Sequence, residues 1–224
     1  MPSPSVRNTL LSVIIGLFLY ARRGLLVAAT LLVILPGAQA NERVILVMGD
    51  SLSAAYNMAR EDSWVHLLQQ RLVEEGLPWT VINASISGDT TRGGLSRLPR
   101  ALDQHDPAVV IIALGGNDGL RGVNPVEIER NLTRMVEQAR EANATVLMAG
   151  VRIPPNYGPA YSERFEQTFR NVAEATNAAL LWRILDGVDE NPELIMDDGV
   201  HPTIAAQPAI LGNIWRKLRP LIEE

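Results

Sequence analysis

An α/β fold, with a parallel five-stranded sheet covered by helices on both faces, is predicted from three observations. Short apolar runs recur at residues 44–47, 79–82, 108–114, 145–149 and 179–182. Stretches with apolar residues at helical spacing separate them. Glycine-rich polar blocks directly follow the first and the central run, at 49–53 and 115–118. In a parallel sheet, both blocks then fall on the carboxyl rim, where ligands bind.

Taken in order, residues 44–47 (Val-Ile-Leu-Val) end at Gly49 and read as a strand buried on both faces. Residues 62–75 carry Trp64, Val65, Leu67, Leu68 and Leu72 on one helical stripe. Residues 79–82 make a second strand, and Leu95, Leu98 and Leu102 mark a second helix. The most hydrophobic run of the domain, 108–114, is the central strand. Asn124 as cap and Pro125 in the first turn open a helix over 125–142. A fourth strand at 145–149, a helix over 160–177, a short edge strand at 179–182 and a closing helix over 203–222 follow.

The first 40 of the 224 residues differ from the rest. They hold Arg7, Arg22 and Arg23 and no acid, with apolar runs at 9–20 and 24–36. Ala38-Gln39-Ala40 supplies the small residues of a signal-peptidase site. Each apolar run is too short for a bilayer core of roughly 30 Å, which takes about 20 helical residues. A leader cleaved after Ala40 is therefore expected, then one domain over 41–224, periplasmic or secreted and without a stable membrane anchor. The alternative is an uncleaved anchor.

That domain carries 17 basic and 25 acidic side chains, a net charge of −8 with histidine neutral. The balance argues against nucleic acid and anionic membranes as partners. There is no cysteine, so thiolate metal sites and disulfides are excluded. Of the three histidines, His66, His105 and His201, none has a paired-ligand spacing. No metal or cofactor is expected. His66 and His105 receive no role.

Ser51, His201 and Asp198 together supply what hydroxyl-based covalent catalysis requires. A serine needs an imidazole to take its proton, and the imidazole needs an orienting acceptor. Asp198 precedes His201 by three residues, which on one helical turn puts both on one face. Pro202 holds His201 extended or in a turn. Ser51 follows a strand at the predicted opening of a helix, where free N–H groups favour developing negative charge. The G-x-S-x-G elbow of α/β-hydrolases is absent.

Four blocks carry a resemblance: 49–56 (GDSLSAAY), 83–90 (NASISGDT), 115–122 (GGNDGLRG) and 197–202 (DDGVHP). Over 43–222 the chain resembles the SGNH (GDSL) hydrolase family, most closely its bacterial periplasmic acyl thioesterase, lysophospholipase and arylesterase branch. The resemblance implies a three-layer α/β/α fold with a flavodoxin-like sheet. It implies an oxyanion hole from the Ser51 N–H, the Gly88 N–H and the Asn117 amide, and it selects Asp198 over Asp197 as the acid. The implied substrate is a small acyl ester, an acyl thioester or a lysophospholipid, and a monomer is expected.

The loops at 52–56, 118–123 and 151–158 are expected to line an acyl groove with few charges, through Leu52, Tyr56, Leu120, Val123, Ile153, Pro154 and Tyr157. Asp50 reads as a loop organiser. Arg121 meets either substrate or solvent. The sequons at Asn83, Asn131 and Asn143 read as chance. Two other functions stay open: a carbohydrate O-acetyl esterase, and a non-catalytic phosphate-binding module.

Overall fold

The computed structural model describes residues 43–223; the expected leader lies outside them. Five parallel strands form one sheet: β1 (Arg43–Gly49), β2 (Trp79–Asn83), β3 (Val109–Ala113), β4 (Thr145–Ala149) and β5 (Ala179–Leu181). Their order is β2-β1-β3-β4-β5, all neighbours parallel. This is the flavodoxin-like order. The helices are α1 (Trp64–Glu74), α2 (Thr91–His105), α3 (Gly116–Leu120), α4 (Pro125–Glu141), α5 (Pro159–Thr176) and α6 (Gln207–Ile222).

The strands read as unbroken apolar runs because both their faces are buried. Successive side chains alternate between faces. Ile45, Val47, Val109 and Ile111 pack with Trp64, Leu68 and Leu72 of α1 and Ile210, Ile214 and Leu218 of α6. Leu46, Met48, Val110 and Ile112 pack with Leu98 of α2, Leu132 and Met135 of α4 and Phe165 and Phe169 of α5. Each such buried side chain is worth about 1.5–3 kcal/mol over its exposed state.

Helix starts follow their caps. The Ser63 hydroxyl accepts from the His66 N–H, so α1 begins at Trp64, the first residue of its apolar stripe, rather than at the expected residue 62; Arg60–Asp62 form a 3-10 turn. Thr90 caps α2 through the Gly93 N–H, and Asn124 caps α4 ahead of Pro125.

Three local expectations are corrected. No helix opens at Ser51: residues 51–57 form turns. Ala54 N–H reaches the Asp50 carbonyl, but Ala55 and Asn57 then adopt left-handed φ values of 56° and 55°, which ends any helix. The loop expected at 118–123 instead begins inside the short helix α3, which also carries Asn117. Its entry requires Gly115 at φ 121°, a backbone shape reserved for glycine. Asp198 and His201 share a loop rather than a helical face.

Candidate active site

Every site-bearing segment leaves the carboxyl rim. Ser51 follows β1, Gly88 the loop after β2, Asn117 the end of β3, and Asp198 and His201 the segment between β5 and α6. Asp198 builds its own turn: Oδ1 accepts from the backbone N–H groups of Val200 and His201, both at 2.9 Å. Its second oxygen, Oδ2, lies 2.7 Å from His201 Nδ1. The three-residue spacing thus serves an aspartate-centred loop, which satisfies backbone donors that a helix would satisfy internally. His201 Nε2 lies 2.9 Å from Ser51 Oγ. The sequence-predicted serine, histidine and aspartate are therefore in one hydrogen-bonded line.

Asp198 is held down to about 2, first by the His201 backbone N–H and further by the Val200 N–H and the imidazole. It stays anionic at any working pH, on the side of the ring away from the serine. The Tyr56 ring stacks on the imidazole face, 4.0 Å between centroids and 25° between planes.

Asn117 is fixed from two sides. Its Nδ2 donates to Asp50 Oδ2 at 3.3 Å. The next residue, Asp118, is buried and accepts from the Thr91 N–H and hydroxyl at 2.8 and 2.7 Å, and Asn131 donates to that hydroxyl. This network ties α3 to α2 and α4, and burial pushes the Asp118 carboxyl above its ordinary value. Neither contact has a sequence signature. The network also accounts for Asn131, a buried partner rather than a glycan acceptor.

Asp50 matches the expected loop organiser, since Oδ1 accepts from the Leu52 N–H at 3.1 Å. Only 3% exposed, it is pushed up to about 6 by burial, against the pull of the Leu52 and Asn117 donors and of His201. The folded protein binds this proton more tightly than the unfolded chain, whose value is near 3.8. Asp50 thus favours the fold most below pH 3.8, and that advantage is lost as pH rises to about 6, at a cost of order 3 kcal/mol. Asp50→Asn should therefore gain melting temperature over the parent between pH 4 and pH 7. Parallel melting curves for the two proteins across that range would refute it.

Gly88 has φ 80°, and its carbonyl accepts from Arg121 Nη2 at 3.1 Å. Arg121 is thus engaged with the loop after β2. Arg97 ties the same loop to the end of β1, meeting Asp89 Oδ2 at 2.7 Å and the carbonyls of Ala84 and Gly49.

A cavity of about 580 Å³ opens at Ser51, Asn117 and His201. Leu52, Leu120, Ile153 and Pro154 line it as expected. Tyr157 does not: its hydroxyl donates to the Leu120 carbonyl at 2.8 Å, so it braces that wall. Gly88 is also not among the lining residues. The expectation of few charges is corrected too. Arg152, Glu166 and Asp189 share the wall, with Arg152 paired to Asp189 at 3.0 Å and Glu166 3.6 Å from Arg183. These pairs join separate segments, which spacing along the chain cannot show.

An open parallel sheet with this serine-histidine-aspartate line at its rim defines a class, the hydroxyl-nucleophile hydrolases built without an α/β-hydrolase elbow. The pattern of the GDSL-like lipase/acylhydrolase family matches residues 47–207, and the chain belongs to that family. It is an enzyme, an acyl hydrolase. It is 46% identical over 200 residues to the esterase TesA of Pseudomonas aeruginosa, covering 89% of this chain and all of that one. It is 40% identical over 191 residues to the thioesterase 1/protease 1/lysophospholipase L1 of Escherichia coli K12, covering 85% of this chain and 90% of that one. A crystal structure of TesA superposes with a TM-score of 0.79 at 48% identity, covering 80% of this chain and 99% of the other.

Proposed function

We propose that the chain hydrolyses carboxylic esters and thioesters through an acyl-enzyme on Ser51. The unbroken hydrogen-bonded line from Ser51 Oγ through His201 to Asp198, at the mouth of a cavity, carries this reading. Ser51 Oγ attacks the acyl carbon while its proton passes to His201 Nε2. The carbonyl oxygen becomes an oxyanion, assigned to the Ser51 N–H, the Gly88 N–H and the second N–H of Asn117 Nδ2. As the intermediate collapses, the carbon–oxygen or carbon–sulfur bond breaks and Nε2 delivers its proton to the leaving alcohol or thiol. Water then repeats the sequence on the acyl-enzyme: it gives a proton to Nε2, and Ser51 recovers it as the acid departs. The chemistry needs no metal.

The test is a fluorophosphonate probe. The wild type should be labelled and Ser51→Ala should not. Failure of the wild type to label would favour a non-catalytic anion-binding module, which has no use for the Asp198–His201 pair.

The substrate reading is a small acyl ester, an acyl thioester or a lysophospholipid, taken with the acyl chain in the cavity. The apolar part of the wall supports it, as do the thioesterase and lysophospholipase names of the relative above. Each methylene that enters should add up to about 0.8 kcal/mol, or up to roughly fourfold in kcat/KM. In a series of p-nitrophenyl esters, butyrate and longer chains should therefore beat acetate. A sharp preference for acetate, above all on acetylated sugars, would promote the carbohydrate esterase instead.

We place the mature enzyme in the periplasm, as a monomer beginning at Asn41. The support is the acid-free, arginine-containing leader and its Ala38-Gln39-Ala40 site. N-terminal sequencing of exported protein should read Asn41 first; recovery only with membranes, Arg22-Arg23 still attached, would contradict it.

A further inference from the structure

We infer that Tyr56 is a positioning residue for the base: its ring holds the His201 imidazole in line and favours the cation that forms there during turnover. This rests on the assignment of His201 as base made above.

The imidazole is bounded on three sides. Asp198 Oδ2 stands at Nδ1, Ser51 Oγ at Nε2, and the Tyr56 ring over one face at 4.0 Å. Core burial does not account for Tyr56, which is 42% exposed. The chain nevertheless bends hard to place it. Ala55 and Asn57, on either side, both sit in the left-handed region, and an alanine has no side-chain hydrogen bond to offset that strain. Strain of this kind persists where surrounding structure over-determines it. Here Trp64 Nε1 donates to the Leu52 carbonyl at 3.0 Å and Asn83 Nδ2 to the Ser53 carbonyl at 2.8 Å, which pin the first half of the turn.

The energetic argument concerns when the contact strengthens. Before attack, the ring already covers the face of the imidazole that is to take the proton. When Ser51 attacks, its proton moves to Nε2 and the imidazole becomes a cation. The face of an aromatic ring is electrostatically negative and attracts a cation within about 6 Å of its centroid. Asp198 balances the cation's charge in the plane of the imidazole; the uncharged Tyr56 ring stabilises it from above. A contact that is stronger in the charged state than in the resting state lowers the barrier rather than tightening substrate binding, so it acts on kcat.

The test replaces Tyr56 by Phe, Leu and a series of phenylalanines bearing one, two and three ring fluorines, assayed on p-nitrophenyl butyrate with melting temperatures measured in parallel. Fluorine drains the negative face while keeping the ring. Tyr56→Phe should stay within about twofold of the parent, because the ring is kept. Tyr56→Leu should lower kcat roughly two- to fivefold with KM unchanged. In the fluorinated series log kcat should fall stepwise with each fluorine. A flat series, or a Tyr56→Leu defect lying wholly in KM, overturns the inference. If Tyr56→Leu unfolds, the near-isosteric fluorinated series still decides. Ser51→Ala and His201→Ala separate the two levels. If they are inactive while the fluorinated series is flat, only Tyr56 loses its role; if they are active, the base assignment itself fails.

Discussion

Replacing Ser51 by alanine should lower kcat/KM for ester hydrolysis by roughly 10⁴–10⁶-fold, and His201→Ala should do nearly the same. The proposed nucleophile and base act as one unit, so the double variant should be little worse than either single one. Neither change should unfold the protein. Both residues sit in loops at the sheet rim, and the side-chain contacts that each makes belong to the site. Steady-state kinetics with a circular dichroism spectrum of each variant checks this. A Ser51→Ala enzyme that kept a tenth of parental turnover would remove Ser51 as nucleophile.

Asn117→Ala should lower kcat by about 10²–10³-fold and leave KM nearly unchanged. The geometry explains the split. Asp50 accepts one N–H of the Asn117 amide, which fixes the amide with its nitrogen towards the site and leaves the second N–H free. A donor aimed at an oxygen that becomes negative only after attack contributes mainly to the transition state. The same variant removes a partner from a buried carboxylate, so a lower melting temperature at pH 7 should accompany the kinetic loss. A defect confined to KM would mean that Asn117 binds the ground state instead.

Most of the fold was legible, because buried parallel strands write themselves as apolar runs and amphipathic helices as stripes. β1 to β5 lie where those runs predicted them, with ends moved by a residue or two. What was lost was local geometry with two solutions. A spacing of three residues fits both a helical face and the aspartate-centred loop of Asp198 and His201, and the sequence does not choose between them. Ser51 in a turn rather than a helix depends on Ala55, whose left-handed φ no residue preference announces. Contacts across the rim were lost too. Asp50 meets Asn117 across 67 positions, and Arg152 meets Asp189 across the cavity wall. Nothing periodic marks either pair, so the charged part of the wall and the bracing role of Tyr157 emerge only in three dimensions.

The segment from Leu194 to Thr203 is nearly self-contained. Thr203 N–H returns to the Leu194 carbonyl, Met196 N–H to the His201 carbonyl, and Ile195 pairs with Pro202. With Asp198 tied to the backbone of Val200 and His201 as well, the proposed acid and base are held by one backbone unit. Displacing that unit would leave the Asp198–His201 distance unaltered while changing the 2.9 Å gap to Ser51 Oγ and the stack on Tyr56. A shift of about one ångström that lengthens that gap would disconnect the proposed nucleophile from an otherwise intact acid–base pair, and the reverse shift would reconnect it.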